Sequence, residues 1–337
     1  MDYLERLEKE LEEHGYGSRY KKLCLYYASR VLENNMPVIF DNRHLALLMG
    51  VEAATLGYYI SNTDQFYTVK SIAKKNGGVR KISMPSYNLK KIQRWILKNI
   101  LYNIKVTEYS TAFINGKSIL DNAIPHVNKA VVINLDIKDF FPSIDFKRIF
   151  LLFYNKGYTK EVSYSITKLL TFRGELPQGS PASPYISNIV ITALDYRIGG
   201  LSKKYDFSYT RYADDITISG EQKILGNIEF IIKLIKREGF NINTRKMKIL
   251  EKSERQEVTG LVVNNSVKVK KEFKREIRKD IYYCKKYGVY SHLKYKGNET
   301  KSFYKEYMYG KVNFILMIEP EEGKKLLNEL NEIDWNS

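Results

Sequence analysis

Tyr209-Thr210-Arg211-Tyr212-Ala213-Asp214-Asp215-Ile216-Thr217-Ile218-Ser219 is the stretch on which the reading of this chain turns. Two arms of alternating β-branched and aromatic residues flank a short polar tip, the pattern of a β-hairpin. The tip carries two adjacent carboxylates, Asp214 and Asp215. Like charges about 4 Å apart repel by roughly 4 kcal/mol at an effective dielectric near 20, so a rigid hairpin holding both calls for a counter-cation. A divalent metal meets that need. A solvated turn is the plain alternative, because Asp is common in turns and exposed charge is screened by water and salt.

A third acid weighs against the plain turn. In Lys129-Ala130-Val131-Val132-Ile133-Asn134-Leu135-Asp136 an apolar run of strand type ends on a carboxylate. Paired beside the Asp214-Asp215 hairpin, such a strand brings three acids to one sheet edge, the outline of a two-metal site.

Composition points the same way. The 337 residues hold 55 Lys and Arg against 38 Asp and Glu, a net charge of +17, which suits a polyanionic partner. The charge is patchy: Lys268 to Lys311 contains fourteen basic and five acidic residues. Cys24 and Cys284 lie far apart without His or Cys at ligand spacing, so neither a disulfide framework nor a zinc site is expected, and a reducing cytoplasm fits. The N-terminus is acidic and helix-like, and no apolar run approaches a bilayer span. No membrane partner is expected.

In order along the chain stand Asn122-Ala123-Ile124-Pro125-His126, Asp136-Ile137-Lys138-Asp139-Phe140-Phe141, Leu176-Pro177-Gln178-Gly179-Ser180-Pro181-Ala182-Ser183-Pro184, Tyr212-Ala213-Asp214-Asp215 and Val258-Thr259-Gly260-Leu261. From about residue 67 to the C-terminal region the chain resembles reverse transcriptases, and among them the bacterial retron enzymes. The resemblance implies an α/β (α+β) right-hand polymerase. Residues 1–125 would form N-terminal helices and fingers, 126–265 the palm with a helical fingers-side insertion at about 145–185, and 266–337 a basic thumb. Two Mg2+ ions would be held by Asp136, Asp214 and Asp215 with the Ile137 carbonyl. The implied activity is DNA synthesis from dNTPs on the enzyme's own structured non-coding RNA, begun from a 2'-hydroxyl of an internal guanosine to give branched RNA-DNA (msDNA). Further implied partners are the DNA copy, a host RNase H and a separate effector protein, because the chain ends soon after the thumb; antiviral defence is the family-level role. The alternatives are another bacterial reverse transcriptase, intron-encoded or diversity-generating, and a non-catalytic RNA-binding module on a palm-like fold.

The resemblance also assigns residues. Lys74 and Arg80, in a basic hairpin around Asn76-Gly77, would grip the triphosphate, although such a run is commonly a solvated edge. Phe141 would lie under the sugar and exclude a 2'-hydroxyl, while Gln178 would stand beside the nucleotide. Asn122, His126, Val258, Thr259 and Gly260 would recognise RNA, although a lone histidine is more often a hydrogen-bonded structural group. Related enzymes place a proton-donating Lys before a Thr where this chain reads Arg245-Lys246-Met247-Lys248, which leaves three contenders with Lys246 preferred. Gly116-Lys117-Ser118 lacks the upstream glycine of a phosphate loop and is set aside.

Periodicity predicts helices over 2–49, 89–102, 145–155, 160–172, 183–201, 228–238 and 271–287, and a strand over 257–263. On the last helix Phe273, Ile277, Ile281 and Cys284 make an apolar face. Lys274, Arg278 and Lys285, with Tyr282, Tyr283, Tyr287 and Tyr290 interleaved, predict a face that tracks a nucleic-acid backbone. A merely solvated charged face is the alternative.

Overall fold

The computed structural model describes residues 2–73, 77–297 and 302–335. By packing, the chain falls into two units, each assembled from three separated segments: 1–114, 137–197 and 233–241 in the first, 115–136, 198–232 and 242–337 in the second.

The first unit is mostly helical. Helices Tyr3–Glu13, Ser18–Glu33, Asn42–Met49 and Ala53–Ser61 precede an antiparallel hairpin of β1 (Tyr67–Ala73) and β2 (Val79–Pro85), which pairs Tyr67 with Pro85 and Ala73 with Val79. The expected hairpin is present, and part of its turn, Lys74 included, lies outside the described residues. Helix Tyr87–Asn99 follows, burying Leu89, Ile92, Gln93 and Ile96 on one face. Helices Phe146–Asn155 and Lys160–Leu170 open on side-chain caps, Asp145 and Thr159, each accepting a backbone N–H three residues on. The helix expected over 183–201 is two, Ser183–Val190 and Thr192–Tyr205, broken at Ile191. The run Ile189-Val190-Ile191-Thr192 is β-branched throughout, and stiff χ1 angles weaken a helix there.

The Gln178-Gly179 loop is built into this unit by backbone. Ser83 N–H of β2 donates to the Gln178 carbonyl at 2.7 Å. Gly179 has φ +133°, and a Cβ there would stand 2.5 Å from the Ser83 carbonyl oxygen, so only glycine fits. Behind the loop, Ser180 Oγ donates to Gln93 Oε1 at 2.9 Å, while Gln93 Nε2 donates to Tyr67 Oη at 2.7 Å and to the Leu169 carbonyl at 2.9 Å.

The second unit carries a four-stranded antiparallel sheet, built from β3 (Val131–Asp136), β4 (Ser208–Tyr212), β5 (Asp215–Gly220) and β6 (Lys248–Glu251) in the order β4-β5-β3-β6. β3 is central and buries Val131, Val132, Ile133 and Leu135. A small hairpin of β7 (Glu257–Val258) and β8 (Leu261–Val262) replaces the single strand expected over 257–263. Thr259 (φ +47°) and Gly260 (φ +85°) reverse the chain there, both left-handed as a two-residue hairpin turn requires. Helices Lys271–Tyr287, Val289–Tyr295, Tyr304–Ile318 and Pro320–Asn331 complete the unit. The predicted apolar face of the first is present: Ile277, Ile281 and Cys284 are buried and Phe273 packs beside them. They share one core with Ala123, Val132, Val258 and Leu261, so these C-terminal helices and the back of the sheet are held by the same apolar burial. No helix among the described residues is long and apolar enough to cross a membrane.

Candidate active site

The β3–β5 register pairs Leu135 with Ile216 and Asp136 with Asp215, so the two acids stand directly opposite at the sheet edge. β4 and β5 are joined by Ala213 and Asp214 alone, with Tyr212 opposite Asp215. Ala213 takes a left-handed φ of +57°. The fully buried Arg211 steadies it, its Nη1 donating to the Ala213 carbonyl at 3.0 Å. An arginine at an inward position of an apolar arm was the sequence signal for this support, and the periodicity argument passed over it.

Lys246 completes the cluster. It ends a short 3-10 turn, Thr244–Lys246, that leads into β6, and its Nζ donates to Asp136 Oδ1 at 2.6 Å. Of the three contenders it is the one joined to Asp136 by a hydrogen bond. That bond, with further attraction from Asp136, Asp214 and Asp215, raises the Lys246 pKa above the ordinary lysine value. The Asp215 carboxyl is pushed up to about 6, first by desolvation and then by the charges of Asp214 and Asp136, with Lys246 acting in the opposite sense. The Lys246 ammonium thus lies within the field of all three acids. Among the described residues no three His, Cys, Asp or Glu side chains converge closely enough to grip an ion as they stand. The donor chemistry, a group of hard carboxylate oxygens, nevertheless fits a hard divalent ion.

In the first unit, Arg80 is exposed on β2 opposite Ile72, Gln178 is half-buried in its pinned loop, and Ile137 is buried. Phe141 is half-buried, with its ring beside Phe140 and Phe113 at centroid distances of 5.6 and 6.5 Å. Lys74 lies outside the described residues. Gln93 is a support that the sequence reading missed; a polar residue inside the apolar stripe Leu89, Ile92, Ile96 was its signal.

Two groups of expected contact residues are taken up within the protein. Asn122, His126 and Val258 were expected to recognise RNA, and all three are fully buried. One His126 ring nitrogen lies 2.7 Å from Ser219 Oγ on β5 and the other 2.8 Å from Thr210 Oγ1 on β4, so the imidazole ties the two arms of the acidic hairpin together. Burial, with Lys129 nearby, lowers its pKa to about 3 and keeps it neutral. Asn122 Nδ2 donates to Thr259 Oγ1 at 3.4 Å. Of this group only Thr259, in part, and Gly260 reach the surface.

The second group is Lys274, Arg278 and Lys285, expected to face a nucleic-acid backbone. Lys274 Nζ lies 2.7 and 2.9 Å from the two Glu319 carboxylate oxygens, Arg278 pairs with Glu322, and Lys285 lies 2.6 Å from Glu332. Their partners are Glu322 in helix Pro320–Asn331 and the residues flanking it, Glu319 and Glu332.

Comparison with known proteins settles what this edge belongs to. Residues 72–264 match the family described as reverse transcriptase (RNA-dependent DNA polymerase). Retron Ec86 reverse transcriptase of Escherichia coli is 31% identical over 90% of this chain and 93% of its own length. The chain belongs to the retron reverse transcriptases. Retron Mx162 reverse transcriptase of Myxococcus xanthus is 31% identical over 90% of this chain and 69% of its own, and retron Mx65 reverse transcriptase of the same organism 29% over 86% and 71%. As a retron reverse transcriptase the chain is an RNA-directed DNA polymerase of the right-hand α/β fold expected from its motifs.

Two outcomes follow from this geometry. The folded-state pKa of Asp215 lies above the unfolded value, so its ionisation penalises the folded form as pH rises through about 6, and below about 4 the penalty is gone. In chelator-containing buffer Asp215→Asn should therefore melt higher than the parent protein at pH 7.5, by about 2 °C given solvent screening, with the gain vanishing near pH 4. A pH-independent difference refutes the charge-crowding account. His126→Ala leaves the buried Ser219 hydroxyl without its imidazole partner and Thr210 with only its 3.3 Å bond to the Asn122 carbonyl, and should cost about 1–3 kcal/mol in urea unfolding. It should reduce extension of an annealed DNA primer and priming on structured RNA equally; selective loss of RNA priming would restore a recognition role.

Proposed function

We propose that the enzyme copies part of its own structured non-coding RNA into DNA, starting from a 2'-hydroxyl of an internal guanosine, and so produces a branched RNA-DNA molecule. The observation that carries this reading is the cross-strand pair Asp136 and Asp215, with Asp214 at the hairpin tip and Lys246 among them, in a chain of the retron family. Asp136, Asp214 and Asp215, with the carbonyl of Ile137, would hold two Mg2+ ions. When bound, the ions supply activation of the primer hydroxyl and neutralisation of the departing pyrophosphate. The chain's own residues do the rest by position and charge. Lys246, kept protonated by its acidic neighbours, stores a proton for the leaving group. Arg80 and Lys74 donate to the triphosphate, Gln178 flanks the nucleotide, and the Phe141 ring fills the space that a ribonucleotide's 2'-hydroxyl needs. Gly260, exposed at a left-handed turn, lets RNA backbone approach closely.

The retron-type reading brings the DNA copy, dNTPs, a host RNase H and a separate effector protein as partners, a cytoplasmic setting and a role in antiviral defence. Sequencing the nucleic acid that co-purifies with the protein tests it. A covalent branch at one guanosine position of a single structured RNA is expected, and a linear cDNA on an unrelated template would refute it.

Asp214→Asn should lower DNA synthesis about 100- to 1000-fold without lowering the melting temperature, because one acidic charge is lost and no core is emptied. Retained synthesis removes Asp214 from the site. Phe141→Val should shift the dNTP:rNTP incorporation ratio toward ribonucleotides by roughly 10-fold. An unchanged ratio would leave Phe141 as packing for Phe140 and Phe113.

A further inference from the structure

Helix Lys271–Tyr287 presents two basic rows. One, Lys274, Arg278 and Lys285, is occupied by glutamates. The other, Arg275, Lys279 and Lys286, repeats at helical spacing and is exposed, and among the described residues none of its members takes a carboxylate partner. Tyrosine rings fill the gaps in this second row. Lys279 Nζ lies 5.8 Å from the Tyr283 ring centroid, and Lys286 Nζ lies 5.6 and 5.1 Å from those of Tyr282 and Tyr287.

Tyr283 stands nearly parallel to Tyr287, with centroids 5.9 Å apart and planes at 20°, and to His292, at 5.7 Å and 16°. The three rings form a platform in a cavity of about 460 Å3, where Lys279, Ser291 and the highly exposed Tyr295 complete the lining. Its base is fixed. His292 Nε2 lies 3.2 Å from an oxygen of the buried Asp280, which Lys296 also engages.

Ring faces at a common tilt accept a flat aromatic group, and ammonium groups at their rim accept phosphate. An acidic peptide would use the lysines and leave the platform idle. A duplex keeps its base faces stacked inside and has none to offer, whereas an unpaired nucleotide brings both a free π-face and a flanking phosphate. RNA is the strand that an RNA-directed polymerase must hold before any DNA exists. We propose that this pocket takes the base of an unpaired nucleotide in the RNA partner, stacked on Tyr283 and Tyr287, with the flanking phosphates on Lys279 and Lys286.

The test uses the full chain and a short unstructured RNA carrying a single 2-aminopurine, beside a single-stranded DNA and a blunt RNA duplex of the same length. Stacking should quench the fluorophore. Tyr287→Leu combined with Tyr295→Leu should weaken single-stranded RNA binding by roughly 5- to 150-fold and relieve the quenching, while Tyr287→Phe keeps both. Lys279→Gln with Lys286→Gln should lower the log–log salt slope by about 1.4. Equal weakening on the blunt duplex, quenching that survives the leucine variant, or tighter binding of single-stranded DNA than of RNA would overturn the proposal. Binding is read rather than synthesis, so failure here leaves the active-site reading standing.

Discussion

The pairing of β3 with β5 in a single register is the constraint on which the site depends. Side chains alternate along a strand, so a slip of one residue would turn Asp136 away from Asp215 and bury it where Leu135 now sits. Val131, Ile133 and Leu135 on one face of β3, with Ile216 and Ile218 opposite on β5, are all buried and forbid that slip by filling the interior from both strands. Apolar burial therefore sets the separation of charges that repel one another. The cost is carried locally, in the raised pKa of Asp215, and offset locally, in the ammonium of Lys246.

The fold was largely legible because its elements announce themselves by period. The strand ending in Asp136, the hairpin around Ala213-Asp214 and the helix Lys271–Tyr287 all lie where alternation and helical spacing put them. The acids were legible for a further reason: carboxylates at strand ends have no packing use to compete with. What escaped was the partner of each polar group. His126, Asn122 and Gln93 carry the side chains of recognition residues, and all three are spent inside the protein on hydrogen bonds across more than 25 residues of sequence. Period does not say which hydroxyl or carbonyl waits on the far side.

The same blindness explains the basic helix Lys271–Tyr287. Two basic rows on one helix look equivalent in sequence, and only the docking of Glu319, Glu322 and Glu332 distinguishes them. The more exposed pairs, Arg278–Glu322 and Lys285–Glu332, contribute little to stability, whereas Lys274–Glu319 is largely shielded; all three take positive charge off the surface. They leave the tyrosine-bearing row as the electropositive one.

The interleaving of the two units bears on how the protein comes to exist at all. The chain passes from one unit to the other five times, at 114/115, 136/137, 197/198, 232/233 and 241/242. Neither unit can close while only its first segment has left the ribosome. At roughly 5–20 residues per second, the first unit waits on the order of ten seconds between the emergence of residue 114 and that of residue 241. Apolar surface meant for late segments stays open during that interval, which makes nascent chains of this enzyme natural clients for chaperones and makes slow, non-local folding the expected regime.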